Sequence, residues 1–218
     1  MSNIMEYLPI MLEGSILTVK IFILTLLLSL PLGFPIALGE ESKIKPLSFL
    51  CKVYVWIFRG TPLMLQLFFF YYFFPIVFGI GLDAVPTAIL TFILNYAAYF
   101  AEIYRGGMNS IDKGQYEAAH ALGLSKKQTM LDIILPQTMK AILPPVFNET
   151  ITLVKDTALV MAIGCHELMK VTSGIVSRTS DITPFAVAAV IYLVMTFVLT
   201  LGAGKLERHF SRYDQKGE

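Results

Sequence analysis

Four stretches of this chain contain no Asp, Glu, Lys or Arg over a length close to the thickness of a lipid bilayer. They are residues 21–39, 60–82, 84–101 and 182–204. An α-helix rises about 1.5 Å per residue, so each stretch is close to the length that crosses a hydrocarbon core of about 30 Å. A fifth stretch, residues 141–163, is similarly apolar apart from three charged residues, and we expect it to cross as well. With 15% charged residues, the chain is too apolar for a soluble domain.

The sequence therefore predicts an all-α fold, a polytopic helical membrane protein with five transmembrane helices. Their approximate bounds are 15–39, 56–78, 84–104, 141–163 and 184–204, within a single domain over residues 1–218. Residues 105–140 form a polar loop between the third and fourth helices. Between the last two helices, residues 164–183 leave open whether a short surface or re-entrant helix forms.

Basic residues concentrate in the segments that would share one side of the membrane, and in membrane proteins that side is the cytoplasm. With the N-terminus outside, the inner segments contain 13 of the 17 Lys and Arg residues. These are Lys43, Lys45, Lys52, Arg59, Arg105, Lys113, Lys126, Lys127, Lys140, Lys205, Arg208, Arg212 and Lys216. We therefore expect the N-terminus outside, and the C-terminus and the 105–140 loop in the cytoplasm.

The sequence contains no motif for catalysis or for metal binding. It lacks the phosphate-binding pattern G-x-x-x-x-G-K-[ST], the zinc pattern H-E-x-x-H and the nucleophile pattern G-x-S-x-G. His120, His166 and His209 lie in different segments, so we expect no metal site and no catalytic residue. Cys51 and Cys165 are expected on opposite membrane faces, as free thiols.

Polar residues at membrane depth are the better functional signal. Asn95, Tyr99 and Glu102 are spaced i, i+4 and i+7, so they share one face of the third helix. Inside a bilayer such side chains face partners or a wet cavity, which makes them candidates for a substrate pathway. Two other interpretations stay open: Asn95 as a hydrogen bond between helices, and Glu102 as an ion pair with Arg105.

Two adjacent charges interrupt the fourth span. Lys155 follows Pro145 by ten residues, which is about 15 Å along a helix and places it near mid-membrane. Inserting such a side chain costs roughly 2.5 to 3.5 kcal/mol. Lys155 and Asp156 point about 100° apart on a helix, so Lys155 needs another partner, for which Glu102 and Glu149 are candidates. We expect the two charges to have a functional or subunit-interface role.

The polar loop predicts two short helices separated by a glycine. Asp112 and Gln115 have the spacing of a capping box before the first helix. Ser125 and Gln128 repeat that spacing before the second helix. Gly123 lies between the two, at the position where a helix end favours a left-handed residue.

We expect the second helix to end at Pro136. Two helices joined through a glycine also resemble a DNA-binding helix-turn-helix. About 35 residues tethered between two spans leave no room for the core of such a domain. A net charge of +1 also argues against a basic recognition face. The small side chains of Ala118, Ala119 and Ala121 instead favour close packing against the groove of a partner protein.

The spacing in this loop is similar to that of the E-A-A loop in the permeases of ABC importers. The matching residues, without a gap, are Glu117, Ala118, Ala119, Gly123, Ile133, Leu135 and Pro136. Four further segments resemble the subgroup that imports polar amino acids, namely residues 59–62, 95–102, 144–145 and 154–157. The resemblance covers nearly the whole chain.

The resemblance implies a permease domain in the bacterial cytoplasmic membrane, within an importer that works by alternating access. Its partners would be a cytoplasmic ATPase dimer that holds ATP and Mg, a second permease subunit that is identical or closely related, and an extracytoplasmic solute-binding protein. The chain itself would bind no cofactor and catalyse no reaction. The matching residues of the loop would couple it to the ATPase.

The resemblance also implies a substrate pathway, formed here by Asn95, Tyr99, Glu102, Lys155, Asp156 and Thr157. A zwitterionic amino acid would offer its ammonium to Glu102 or Asp156, and its carboxylate to Lys155 or to the N-terminus of a broken helix. Cystine, glutamine, glutamate, arginine and histidine all stay open as substrates. The alternative function is a secondary transporter or channel that needs no ATPase, for which the sequence contains no inverted repeat.

Overall fold

The computed structural model describes residues 4–211, with side chains for residues 4–208. Within that range the chain forms eight helices and no strand, which confirms the all-α prediction. The helices are α1 Ile4–Glu40, α2 Lys45–Gly60, α3 Leu63–Phe78, α4 Ala84–Asn109, α5 Lys113–Ala121, α6 Lys126–Ile163, α7 Leu168–Thr179 and α8 Thr183–Ser211. The side chain of His209 and the basic residues Arg212 and Lys216, which enter the predictions above, lie outside the described part.

Three helices, α1, α4 and α8, are each long and apolar enough to cross a membrane. The other candidates are two bent pairs, in which α2 and α3 meet at 106° and α6 and α7 meet at 55°. If each pair is one span, the described chain has five, which is the number that the apolar stretches predict. The orientation of the termini stays a prediction.

The predicted second span, residues 56–78, is not one straight helix. Its first residues belong to α2, and the chain turns between Gly60 and Leu63. Thr61 and Pro62 are both extended at this point. Proline disfavours the helical conformation in the residue before it and has no N–H to continue the hydrogen-bond ladder, so the helix ends here and restarts in a new direction.

Pro136 does not end the second helix of the loop, contrary to the sequence prediction. α6 runs through it into the fourth span. A π turn over Thr129–Ile134 precedes the proline, and the N–H of Leu135 bonds the carbonyl of Met130, five residues back. The extra residue in a π turn relieves the clash between a proline ring and the preceding carbonyls of a regular helix. A π turn also precedes Pro75 in α3.

The close pair of α1 and α4 forms the centre of the fold. A Cβ on Gly33 of α1 would lie 2.9 Å from the Cβ of Phe100 and 3.0 Å from the carbonyl oxygen of Ala97, both on α4. Small residues allow transmembrane backbones to approach this closely. Among the three continuous spans, α4 is the most buried and α8 the least, so α8 lies at the periphery of the bundle.

The segment that the sequence left open, residues 164–183, contains the helix α7. Gly164 ends α6 with a φ of +89°, a conformation that favours glycine. Before α8, an oxygen of Asp181 accepts a hydrogen bond from the backbone N–H of Thr183 at 2.9 Å. Hydrogen bonds from the side chain and the backbone of Thr183 lower the pKa of Asp181.

Candidate functional site

The break between α2 and α3 leaves one carbonyl without its helical partner. In a continuous helix the oxygen of Phe58 would accept from the N–H of residue 62, which is proline and has none. Two side-chain amides replace that donor: Nδ2 of Asn95 lies 3.0 Å from the oxygen, and Nε2 of Gln66 lies 2.9 Å from it. Asn95 also donates to Oε1 of Gln66 at 2.9 Å. These bonds favour the interpretation of Asn95 as a link between helices.

Replacing Asn95 with leucine, which has a similar size, is expected to lower the free energy of unfolding by about 1 to 3 kcal/mol, the cost of a buried polar group left unpaired. Unfolding in mixed micelles, followed by circular dichroism, measures this. Asn109→Leu is the control, because Asn109 is exposed and its amide reaches only Glu41 at the surface. If Asn95→Leu is as stable as the parent chain yet no longer transports, Asn95 belongs to the pathway instead.

Arg59, at the end of α2, contacts polar side chains of α4. Its guanidinium carbon lies 5.4 Å from the ring centroid of Tyr99, and its Nη1 lies 3.6 Å from Oε2 of Glu102. Glu102 also accepts a hydrogen bond from Nε of Arg105 at 3.1 Å. Two cations therefore hold this carboxylate. Arg59 was not among the predicted pathway residues, since nothing in the sequence shows how the turn after Gly60 directs its side chain.

A second group of polar side chains joins α4 to α6. The hydroxyl of Tyr96, which is buried, donates to Oδ2 of Asp156 at 2.8 Å. Glu149 lies seven residues before Asp156 and is half-buried, and it interacts electrostatically with both Asp156 and Arg59. No cation among residues 4–208 lies within ion-pair distance of either carboxylate. The two carboxylates therefore offer negative charge to a ligand.

Two predicted pathway residues point elsewhere. Lys155 is exposed on α6, and the expected pairing with Glu102 or Glu149 is wrong within the described chain, where Lys155 forms no ion pair. The reason is that Glu102 is already held by two arginines. Thr157 is fully buried, and its hydroxyl donates to the carbonyl of Val154 at 2.7 Å. Thr157 therefore has a local structural contact rather than a position open to a ligand.

A buried carboxylate that the sequence did not predict lies at the break between α6 and α7. Glu167 is fully buried and accepts hydrogen bonds from the N–H groups of Met169 at 2.8 Å and Lys170 at 2.7 Å. It also accepts from the hydroxyls of Thr18 at 3.4 Å and Tyr192 at 3.2 Å. These donors belong to α7, α1 and α8, so Glu167 fastens the start of α7 to both spans. Glutamate is not a preferred N-cap residue, so this capping role could not be predicted from the residue type.

Most of the E-A-A residues that lie on the helix α5 are exposed. Glu117, Ala118 and Ala121 are exposed, and Leu122, which follows the helix, is 78% exposed. Ala119 is the exception, because it is buried and packs against its own chain. A partner that binds this helix would therefore meet a glutamate, two alanines and a leucine.

Gly123 ends α5 in the left-handed conformation that its position predicts, with a φ of +74°. Its N–H bonds the carbonyl of His120 at 3.0 Å, and the N–H of Leu124 bonds the carbonyl of Ala119, also at 3.0 Å. This pair of bonds is the Schellman motif, which fixes the direction in which the chain leaves a helix. The position of α5 relative to α6 is thereby set by backbone geometry.

One of the two predicted capping boxes is present. Ser125 accepts from the N–H of Gln128, and the side chain of Gln128 reaches back to the N–H of Ser125. Before α5, Asp112 caps the helix by accepting from the N–H of Gly114 at 2.6 Å. The reciprocal half of that box is wrong, because the side chain of Gln115 turns towards α6 instead.

The remaining E-A-A residues lie in α6. Ile133 and Leu135 are half-buried and Pro136 is exposed. The side-chain amide of Gln137 donates to the carbonyl of Ile133 at 3.0 Å and to Oε1 of Gln115 at 3.3 Å, which ties α6 to α5. These residues support α5 from behind rather than forming its outer surface.

Comparisons of the sequence with a family model and with known proteins agree on one family. Residues 29–212 match the family described as binding-protein-dependent transport system inner membrane component. Over 210 residues the chain is 38% identical to the L-cystine transport system permease protein TcyB of Bacillus subtilis (strain 168), across 95% of this chain and 89% of that protein. It is also 38% identical to the arginine transport system permease protein ArtQ of the same organism, over 207 residues and 94% of both chains.

Solved structures share the fold. The crystal structure of an amino acid ABC transporter with histidines superposes with a TM-score of 0.89 at 35% identity, over 95% of this chain and 97% of that chain. An inward-facing structure of the MetNI methionine ABC transporter has a TM-score of 0.73 at 20% identity, over 96% and 99%. The second likeness concerns the fold alone.

Proposed function

This chain belongs to the family of binding-protein-dependent transport system inner membrane components, and we propose that it carries a polar amino acid into the cell by alternating access. It is a multi-pass membrane protein and the permease subunit of an ABC importer. ATP is hydrolysed in a separate cytoplasmic ATPase, and an extracytoplasmic binding protein delivers the solute. The observation that carries the proposal is α5, an exposed short helix fixed between two spans.

The way α5 is held supports its role as the coupling helix. Gly123 directs the chain into α6 through two backbone hydrogen bonds, and Gln137 links α6 back to Gln115 of α5. α6 then continues without interruption into the fourth span. A push on α5 by the ATPase is therefore transmitted as movement of α6, because packed helices shift as rigid bodies rather than deforming.

The polar groups between α2, α4 and α6 support a zwitterion as substrate. Asp156 and Glu149 have no ion-pair partner among the described residues and can accept an ammonium group. Arg59 lies within electrostatic reach of Glu149 and stacks on Tyr99, so it can meet the substrate carboxylate. Glu102 is less available than the sequence predicts, since two arginines already hold it.

Reversing the charge of Glu117 is the direct test of the coupling role. Glu117→Lys is expected to reduce ATP-driven amino acid uptake at least about tenfold, since a reversed charge in a protein contact costs more than 1.4 kcal/mol. The measurement is uptake of radiolabelled amino acids into proteoliposomes that contain this chain, its cognate ATPase and the binding protein. ATP hydrolysis and co-purification of the ATPase are followed in parallel.

Lys205→Glu is the matched control, because Lys205 is also exposed but lies on α8, away from α5. It should leave uptake unchanged. Uptake that proceeds on an ion gradient without ATP would instead favour a secondary transporter. Equal uptake by Glu117→Lys and the parent chain would remove α5 as the docking site.

A further inference from the structure

An open groove lies on the exposed face of α2, next to the polar groups described above. It has a volume of about 440 Å³ and is lined by Lys52, Val55, Trp56, Arg59, Gly60 and Tyr99. None of these residues is acidic, and two of them are basic. The groove therefore offers positive charge to a ligand, whereas Glu149 and Asp156 offer negative charge.

Lys52, Trp56 and Arg59 form one row along α2. They are spaced i, i+4 and i+7, so they share one face of the helix, and all three are exposed. Val55, at the floor of the groove, is buried and packs against α4. The packed side of α2 therefore fixes the helix, while the three side chains of the row stay open to a ligand.

Both cations of the row keep N–H donors that residues 4–208 do not use. Lys52 lies within ion-pair distance of no carboxylate in that range. Glu40 is within electrostatic reach of Lys52, but it is buried. Arg59 pairs with Glu102 at 3.6 Å, and its side chain is 39% exposed. A guanidinium carries five N–H donors, so this ion pair leaves others for a ligand.

Trp56 lies between the two cations and is 75% exposed. Its indole offers a wide apolar face to the side chain of a ligand. The cations on either side offer charge-assisted hydrogen bonds to a carboxylate. Sites for small organic molecules combine these two features, an apolar wall and a few placed polar groups.

The row leads from the end of α1 to the polar groups between α4 and α6. Cys51, next to Lys52, contacts Gly39 near the end of α1. Further along α2, the carbonyl of Phe58 accepts from Asn95, which lies within the span α4. In the predicted orientation the end of α1 is cytoplasmic. Lys52 therefore lies on the cytoplasmic side of the row.

We propose that the groove is a second amino-acid subsite, on the release side, in which Lys52 and Arg59 bind the carboxylate and Trp56 covers the side chain. The inference rests on the proposed function, because the ligand is the transported amino acid. An amino acid that leaves the carboxylates of α6 towards the cytoplasm meets this row next. Because its lining contains no acidic residue, the groove favours amino acids with neutral or acidic side chains over those with a cationic one.

Arg59 belongs to both subsites, and this couples them. In the proposed function it meets the carboxylate of a substrate between α4 and α6, and in the groove it meets the carboxylate of a released amino acid. A guanidinium that holds a released amino acid is less available to the next substrate. Amino acid that accumulates in the cytoplasm should therefore slow its own import.

The fluorescence of Trp56 tests the subsite in the detergent-solubilised chain, because this is the only tryptophan in the sequence. L-glutamate, L-glutamine, L-histidine, L-cystine and L-arginine are titrated separately. We expect a saturable change in emission with at least one of the first four, and the weakest response with L-arginine. The α-amide of the amino acid that responds lacks the carboxylate and should give no change. No saturable response to any of the five, or an equal response to the α-amide, would overturn the proposal.

Variants of Lys52 locate the response. Lys52→Gln should raise the dissociation constant at least about tenfold, because a hydrogen bond to a charged group contributes more than the ~1.4 kcal/mol that correspond to that factor. Lys52→Arg keeps the charge and should keep the binding. The matched control is Lys43→Gln, since Lys43 is exposed in the connection before α2 and does not line the groove. Parent-like binding by Lys52→Gln, or equal losses in both Lys52 variants, would contradict the role of this cation.

Asp156→Asn shows whether the two subsites are distinct. It removes a charge between α4 and α6 and leaves the lining of the groove unchanged, so the fluorescence response should persist. A response that disappears with Asp156→Asn would mean that the groove is not a separate subsite.

Proteoliposomes loaded with the amino acid that responds separate this inference from the proposed function. Internal amino acid should lower the initial rate of ATP-driven uptake by the parent chain, and Lys52→Gln should relieve this inhibition; equal inhibition of both would contradict the coupling. ATP-driven uptake without any Trp56 response would remove the subsite and leave the importer assignment intact. A Trp56 response in a chain whose uptake does not depend on ATP would support the subsite and contradict the importer assignment.

Discussion

An Asp156→Asn variant is expected to lose between about ten- and a hundredfold of its amino acid uptake while still assembling with the ATPase. Asparagine keeps the size of the side chain and an oxygen that can accept the hydrogen bond from Tyr96. What it loses is the charge that, in the proposed function, attracts the substrate ammonium. A hydrogen bond to a charged group contributes about 1.5 to 3 kcal/mol, and 1.4 kcal/mol is a factor of ten. Initial rates of uptake into proteoliposomes measure the effect.

Two companion variants locate the cause of that loss. Tyr96→Phe removes the hydrogen bond to Asp156 but keeps its charge, so uptake should fall much less. Asp132→Asn changes an exposed carboxylate in the part of α6 that precedes the fourth span and should leave uptake unchanged. If Asp156→Asn transports at the parent rate, the carboxylates between α4 and α6 are not part of the pathway.

The number of spans and the layout of the loop follow from local sequence. Long apolar stretches predict transmembrane helices because a bilayer offers no partner for an unpaired backbone group. Gly123 and the pair Ser125 and Gln128 predict their structures because caps and left-handed residues act within one helical turn. These predictions need no knowledge of what packs against the segment.

The effects of the prolines could not be predicted in the same way. Pro62 breaks its span by 106°, whereas α6 continues through Pro136. At Pro62 the freed carbonyl of Phe58 is satisfied by Asn95, from a helix 37 residues away in sequence. At Pro136 a π turn keeps the helix intact. Which of these happens depends on tertiary neighbours, and a single sequence does not reveal them.

The charged residues of the structure also differ in whether the sequence could predict their positions, and for the same reason. Asp156 was predicted because a charge within an apolar stretch is visible in the sequence. Arg59 was not assigned to the site, because its position depends on the turn after Gly60. Glu167 was missed because it lies in a loop, where a carboxylate normally faces water. Its burial results from packing among α1, α7 and α8.

Replacing Glu167 with alanine is expected to lower the free energy of unfolding by about 3 kcal/mol or more, because it leaves several buried donors unpaired at about 1 to 3 kcal/mol each. The donors are the N–H groups of Met169 and Lys170 and the hydroxyls of Thr18 and Tyr192. With the cap removed, α7 should open more often. Hydrogen exchange of the α7 amides, read by mass spectrometry, and thermal unfolding in detergent measure the two effects.

Glu167→Gln separates the cap from the charge. Glutamine keeps one carbonyl oxygen that can accept from the N–H groups of α7, so most of the protection of α7 should return with it. The two hydroxyls then compete for fewer lone pairs, and stability should lie between that of the parent chain and that of Glu167→Ala. Unchanged exchange in α7 of the alanine variant would contradict the capping role. Lost uptake with unchanged exchange would instead mean that the charge of Glu167 acts in transport, since the positions of α1, α7 and α8 would then not depend on it.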